Sequence, residues 1–268
     1  MRLKVLVDNN TYIDQYYKGE PGVSYYIEDG DKHVLFDTGY SDVLLTNARE
    51  MGINLDKLTH IVFSHGHNDH TRGYKFLVQQ YSLPDVKILA HPDCFKPKRE
   101  GAEDIGAPFS NEEMKKNGSM ILSKTPVRLS DNLTFLGEIP SLNDFEERAD
   151  IGEQYSGGVW KADKVMDDSA LVYQSGMGLF IITGCSHSGI CNIIEYSKQI
   201  CKDNRILGVL GGFHIFDTDM RFEKTIEYFM ENQMEKIYPC HCVSFHARAK
   251  MNELLEVYEV GVGLELLL

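Results

Sequence analysis

Apolar positions along the chain fall into two regimes. Over roughly the first third they form short alternating runs separated by turn formers. Over the last third they alternate between strand-like and helix-like spacing. Residues 3–7, 24–27 and 33–36 are short, rich in β-branched or aromatic side chains, and divided by turns such as Asp29-Gly30-Asp31, so each is expected as a strand. Leu44, Leu45, Ala48 and Met51 recur at helical spacing, and Gly52 ends that helix. A strand over 60–64 runs into a polar cluster. A helix through Tyr74, Phe76, Leu77 and Val78 follows, then a strand over 86–90.

From Lys96 to about Asp168 the texture changes. The stretch KPKREGAEDIGAPFSNEEMKKNG is polar and rich in Gly and Pro, with strands expected again at 120–123 and 133–136. Its apolar content is thin, so about 96–168 reads as a lid or insertion within one domain spanning 1–268. The final third then reads strand 179–183, helix 190–200, strand 206–210, helix 222–230, strand 236–238 and helix 247–258. The apolar end, Leu264 to Leu268, reads as a last strand. Alternating strands and helices predict an α/β fold: two packed mixed sheets with helices on both outer faces.

Composition narrows the partners. With 27 Lys+Arg against 40 Asp+Glu, the net charge of -13 repels phosphate backbones, which argues against nucleic acid as a partner. No apolar run is long enough to span a bilayer. The N-terminus MRLKVLVDNN reads as a strand rather than a signal peptide. The six cysteines are therefore expected as free thiols in a reducing cytoplasm. Cys240-His241-Cys242 is too tight for a zinc-finger knuckle.

The candidate chemistry begins with FSHGHNDHTRG, residues 63–73. In an extended loop, residues two apart point to the same side, so His65 and His67 can share one metal. A turn into a helix near Asp69 lets Asp69 and His70 face back toward a second position. Imidazole and carboxylate suit zinc, and also manganese or iron. Three later strands each deliver a histidine at the carboxyl end: His187 in TGCSH, His214 in GGFH and His241 in PCHC. That is the edge where open α/β sheets bind ligands. One such histidine is more often structural. Three of them, together with HxHxDH, favour a shared metal site.

These residues, with LFDTG at 35–39, make the chain resemble the metallo-β-lactamase superfamily. SHGHNDHTRG, GEIPSLNDFE, DDSALVY, TGCSHSGICNI, GGFHIF and YPCHC resemble more closely its branch named for 7,8-dihydropterin-6-methyl-4-(β-D-ribofuranosyl)-aminobenzene-5'-phosphate synthase. The resemblance spans nearly the whole chain and implies a four-layer αββα fold. It also shows departures. Cys185 falls where the superfamily's bridging Asp would be, and His187 takes the place of a ligand that usually precedes it. Val243-Ser244 replaces a Thr-Gly, and Ser141 replaces an Arg.

The ligand set implied is His65, His67 and His187 for a first ion, and Asp69, His70 and His241 for a second. Zinc, one or two per chain, is the expected metal. Cys185 is left outside the set, since an apolar strand end more often holds a small buried thiol. Asp37 is expected to orient a ligand histidine, and His91 to line the pocket. His33, His60 and His246 are expected as structural. Asp69 and His214 are the catalytic candidates, Asp69 orienting a metal-activated water and His214 protonating the leaving group. The function expected is a metal-dependent hydrolase of a small ester or phosphoester, with an anionic or pterin-like molecule as partner. The alternatives are a pterin-pathway synthase and a non-catalytic metal-binding or sensor module. Tyr155, Gly157, Gly158 and Trp160 suggest a hinged aromatic cover. A di-iron redox role is disfavoured, because Asn68 stands where such relatives carry Glu.

Overall fold

A computed structural model describes residues 1–268. Its first sheet has seven strands in the order β17-β1-β2-β3-β4-β5-β8. These are β1 (Arg2–Val7), β2 (Ser24–Asp29), β3 (Lys32–Phe36), β4 (His60–Val62), β5 (Lys87–Ala90), β8 (Ser119–Leu122) and β17 (Glu265–Leu267). The second sheet runs β16-β15-β14-β13-β10-β9. Its strands are β9 (Val127–Arg128), β10 (Leu133–Phe135), β13 (Ala170–Ser175), β14 (Gly178–Thr183), β15 (Ile206–Gly211) and β16 (Lys236–Pro239). A small antiparallel sheet stands apart, with β6 (Lys98–Glu100), β7 (Glu103–Asp104), β11 (Glu153–Ser156) and β12 (Val159–Ala162).

The period-2 pattern decides the layering. In β3, Val34 and Phe36 face the second sheet, where they meet Phe135, Phe180 and Ile182. Leu35 points the other way, onto Leu44 and Leu45 of α1 (Val43–Glu50) and Leu77 of α3 (Tyr74–Gln80). In the second sheet, Ile181, Val209 and Ile237 pack outward. They meet α5 (Ile190–Cys201), α6 (Met220–Glu231) and α7 (Phe245–Leu254) through Ile193, Phe229 and Met251. The order helix, sheet, sheet, helix is the expected αββα arrangement. Full burial of each such Leu, Ile or Phe contributes about 1.5–3 kcal/mol, so the three apolar layers carry most of the fold.

Two elements depart from the sequence reading. The stretch 96–168 divides. Its middle supplies β8 to the edge of the first sheet and β9 and β10 to the second, while β6, β7, β11 and β12 form the separate sheet. The short α4 (Asn111–Met114) lies between these parts, closed by a Ser110–Glu113 capping box. The last helix, expected to reach residue 258, stops at Leu254. Leu255 is extended, and Tyr258 N donates to Ile237 O at 2.9 Å. The exposed edge of β16 captures Val257 and Tyr258 in a parallel bridge, which outweighs their helical spacing. No helix is long and apolar enough to cross a membrane.

His60 illustrates how burial tunes a structural histidine. It is buried in β4, and desolvation, with Lys87 and Lys32 nearby, lowers its pKa to about 4. The unfolded chain takes up the proton near 6.5 while the folded chain rejects it. Stability from this group is therefore complete above about pH 6.5 and is lost as pH falls through about 4. Acid unfolding of the His60→Gln variant, followed by circular dichroism, is expected to lack that portion of the pH dependence. NMR should find the wild-type imidazole titrating near 4.

Candidate metal centre

Because β1, β3, β4, β14, β15 and β16 point the same way, their carboxyl ends share one edge of the sandwich. Asp8 and Asn9 follow β1, and Asp37 follows β3. His65 and His67 follow β4, and Asp69 and His70 lie on the short α2 (Asn68–Thr71). Cys185 and His187 follow β14, His214 follows β15, and His241 follows β16. The backbone turns sharply at this edge. Asp37, Ser186, His214 and His241 all adopt positive φ, between 50° and 59°, a conformation that non-glycine residues rarely hold. Gly66 allows the closest approach: a Cβ there would stand 1.8 Å from Cys94 O, so any side chain would push the His65–His67 turn off its seat.

The imidazoles converge. His65 and His70 rings are 4.2 Å apart, His65 and His187 4.8 Å, His67 and His187 5.0 Å, and His70 and His241 5.0 Å. His65, Cys185 and His187 place one ligand atom each within 4.8 Å of one another, and so do His70, Cys185 and His241. His67 Nδ1 adjoins the first group, 3.0 Å from His65 Nε2. Asp69 adjoins the second, its Oδ2 lying 3.2 Å from His241 Nε2 and 3.5 Å from His70 Nε2. Cys185, which the sequence reading left outside the ligand set, is common to both groups, with Sγ 3.1 Å from His70 Nε2.

Hydrogen bonds determine which nitrogen each ring presents. Asp37 Oδ2 accepts from Ser64 Oγ at 2.7 Å and from His70 Nδ1 at 2.7 Å. The Ser64 proton is thereby used, so its oxygen accepts His65 Nδ1–H at 2.9 Å. One carboxylate thus leaves Nε2 of both His65 and His70 facing inward. Asn9 Oδ1 does the same for His241, accepting from Nδ1 at 2.9 Å, while Asp8 Oδ1 takes the His241 backbone N–H. The sequence reading missed Asp8 and Asn9. The only signal for them was their place directly after the first strand.

Electrostatics fit a cation here. Burial, then the neighbouring imidazoles, drives His65 and His187 well below the ordinary histidine range, and burial lowers His67 to about 4. Burial also acts on His70, but Asp69 and Asp37 outweigh it and raise this ring to about 9. Burial raises the Asp69 carboxyl, yet His70 and His241 prevail and hold it below the usual range. Burial pushes the Cys185 thiol well up. Two atoms, His67 Nε2 and His187 Nε2, are buried with no hydrogen-bond partner. An inward His241 lone pair facing the Asp69 carboxylate at 3.2 Å is repulsive unless a proton or cation lies between them. The imidazoles of His65, His67 and His187, which burial keeps neutral, the Asp69 carboxylate and the buried Cys185 thiol form a donor set that suits zinc, and a cation there would displace the proton that Asp69 and Asp37 favour on His70.

The remaining candidates sort clearly. His214 lies beside the first group, its ring 4.4 Å from His187, with Nδ1 unpartnered. His91 does not converge: its ring nitrogens meet Glu138 Oε2 and the Asp93 N–H, both at 3.1 Å. His33 bonds Tyr26 OH at 2.7 Å, on β3. Tyr155 and Trp160 pack against each other with ring centroids 5.4 Å apart and planes tilted by 59°, and Arg99 lies 4.1 Å over the Trp160 ring. The aromatic that lines the cleft beside the ligands is Tyr40. This cleft, about 440 Å³, is walled by His67, Asn68, Asp69, Glu100 and Ile105. A second groove of about 410 Å³, lined by Phe245, Arg248 and Tyr258, has no histidine, cysteine or aspartate in its lining.

Comparison with known proteins matches residues 17–198 to the model of the metallo-beta-lactamase superfamily. An uncharacterised protein of Methanocaldococcus jannaschii is 32% identical, with 94% of each chain covered. The 7,8-dihydropterin-6-methyl-4-(beta-D-ribofuranosyl)-aminobenzene-5'-phosphate synthase of the same organism is 30% identical, covering 97% of this chain and 93% of that protein. Among solved structures, Tm1679, described as a metal-dependent hydrolase of the beta-lactamase superfamily, superposes with a TM-score of 0.85 at 28% identity. It covers 100% of this chain, which covers 99% of that one.

The role of Asp37 is open to direct measurement. Asp37→Asn keeps a side chain that tolerates positive φ but removes the charge that holds two ligand rings. Zinc affinity, read by competition with a chelating dye, is expected to fall roughly 10–100-fold with the far-UV spectrum unchanged. Unchanged affinity would contradict the tautomer argument.

Proposed function

This chain belongs to the metallo-beta-lactamase superfamily, and on that premise we propose that it is a metal-dependent hydrolase of a small ester or phosphoester. The observation that carries this reading is the pair of ligand groups sharing Cys185, next to a cleft whose wall includes His67 and Asp69. His65, His67 and His187 would hold one ion, and Asp69, His70 and His241 the other, with Cys185 between. Zinc is the metal proposed, with manganese or iron as substitutes. Once bound, such an ion supplies Lewis acidity and makes water nucleophilic near neutral pH.

The chain's own groups do the rest. Asp69, held ionised, orients the attacking water from the cleft side. His214, half-buried against His187 and with a free Nδ1, holds the proton that the leaving group takes. Tyr40 lines the cleft as an aromatic surface for a ring, with one of its faces backed by Arg72 at 4.3 Å. The net charge of -13 favours a small molecule, anionic or pterin-like, over nucleic acid. Six free cysteines support a reducing cytoplasm as the location.

A second reading is favoured by one observation. The 30% identity to the dihydropterin synthase extends over 97% of this chain, so bond formation on a pterin-like substrate is the alternative chemistry. Elemental analysis of protein purified without added metal is expected to give close to two zinc per chain. Asp69→Ala is expected to lower zinc-dependent hydrolysis of bis(4-nitrophenyl) phosphate by about 100-fold or more. Wild-type turnover in that variant would remove Asp69 from the mechanism. A metal-loaded protein inert on phosphate and carboxyl esters, yet consuming a reduced pterin, would decide for the synthase.

A further inference from the structure

The motif DDSALVY, which the catalytic reading does not use, lies directly behind both ligand turns. The chain enters β13 through Asp167-Asp168-Ser169, and each of these residues grips a residue next to a proposed ligand. Asp167 Oδ2 accepts from the N–H of Gly66, between His65 and His67, at 2.8 Å. Asp168 Oδ2 accepts from the N–H of Ser188, the residue after His187, at 2.8 Å, and from Ser188 Oγ. Ser169 N donates to Ser64 O at 2.9 Å. Three consecutive residues therefore connect the β4 turn with the β14 turn, which belong to different sheets.

The second aspartate-binding partner is a cation from elsewhere. Lys98 Nζ, on β6 of the small sheet, donates to Asp167 Oδ1 at 2.8 Å and to Asp163 Oδ2 at 2.6 Å. Lys98 and Asp167 are fully buried. A buried ion pair of this kind seldom adds stability over well-packed apolar side chains, so bulk stability is a weak reason for it. Its geometry gives a better one. It fixes a carboxylate at the back of the His65–His67 turn, and it ties that turn to the sheet that walls the cleft. The same wall is joined to the turn by Asn68 N donating to Ile105 O at 2.9 Å.

We propose that Asp167 and Asp168, with Lys98 as counter-charge, are positioning residues that set the His65–His67 turn against the His187 turn and so fix the spacing of the first metal site. The inference rests on the metal-site reading above.

The test is a zinc titration of metal-stripped protein by chelator competition, repeated with cobalt(II), whose absorption bands report ligand geometry. Folding of each variant is checked by circular dichroism. Asp167→Ala is expected to weaken the ion held by the first group roughly 10–100-fold and to alter the cobalt bands, leaving the second ion near wild-type affinity. Asp167→Asn, which can still accept from Gly66 N, is expected to fall between the two. A folded Asp167→Ala with wild-type zinc affinity and cobalt bands overturns the inference. If that variant does not fold, Asp168→Asn decides: weakened first-ion binding supports the inference, and wild-type binding overturns it. A wild-type chain that takes up neither zinc nor cobalt overturns the metal-site reading and this inference together. Wild-type uptake with unchanged variants overturns this inference alone.

Discussion

A histidine can serve as a ligand only if the correct nitrogen is bare, and in this protein that requirement rests on the Asp37 carboxylate. It accepts from His70 directly and from His65 through Ser64, so one buried group sets a ring in each of the two candidate ligand clusters. Were Asp37 displaced, both rings could rotate or exchange tautomers, and the inward lone pairs would no longer converge. The residue adopts φ of 59° to reach this position, directly after β3. Its neighbours at the same edge, Ser186, His214 and His241, carry comparable backbone strain. Such conformations persist only where the surroundings over-determine them. Here that support comes from apolar layers on both faces of each sheet, whose strands end where the strained turns begin.

Much of this was legible in the sequence, for a physical reason. Period-2 burial and strand–helix alternation are local signals, and they located the strands around Phe36, Ile181 and Val209 and the helices that cover them. The convergence of His65, His67, Asp69, His70, His187 and His241 followed from one rule, that ligands gather at the carboxyl ends of parallel strands. What stayed hidden depends on contacts distant in sequence. Cys185 looks like any small buried thiol until His70 and His187 are brought beside it. Asp8 and Asn9 acquire meaning only when β1 and β16 end at the same edge. The extent of α7 was misjudged because the open edge of β16, not local spacing, decides the fate of Val257 and Tyr258. Within 96–168 the strands expected near 120–123 and 133–136 are present, and the shorter ones were not read for a related reason. Short edge strands such as Val127–Arg128 have too few residues to show a pattern by themselves.

The two ligand groups differ in their surroundings. The first is enclosed, with His65 fully buried and His187 nearly so, and it leans on buried charges behind it. The second is reached from the cleft through Asp69, whose side chain keeps 29% of its surface exposed. The cleft wall itself takes one residue from each group, His67 from the first and Asp69 from the second. The asymmetry in burial suits a hydrolase that must admit a ligand from one side while excluding water from the other. It suits bond formation on a flat ring equally well.

The hairpin of β11 and β12 ends in Gly157-Gly158, both at positive φ, with nothing crowding either Cα. Its root is tied to β6 by paired backbone, while Tyr155 and Trp160 pack against each other next to its tip. The buried turns and the hairpin tip therefore differ in how far a change spreads. Each residue of the turns answers to several others, whereas a side chain added at Gly157 or Gly158 meets no neighbouring atom and leaves the centre beneath undisturbed.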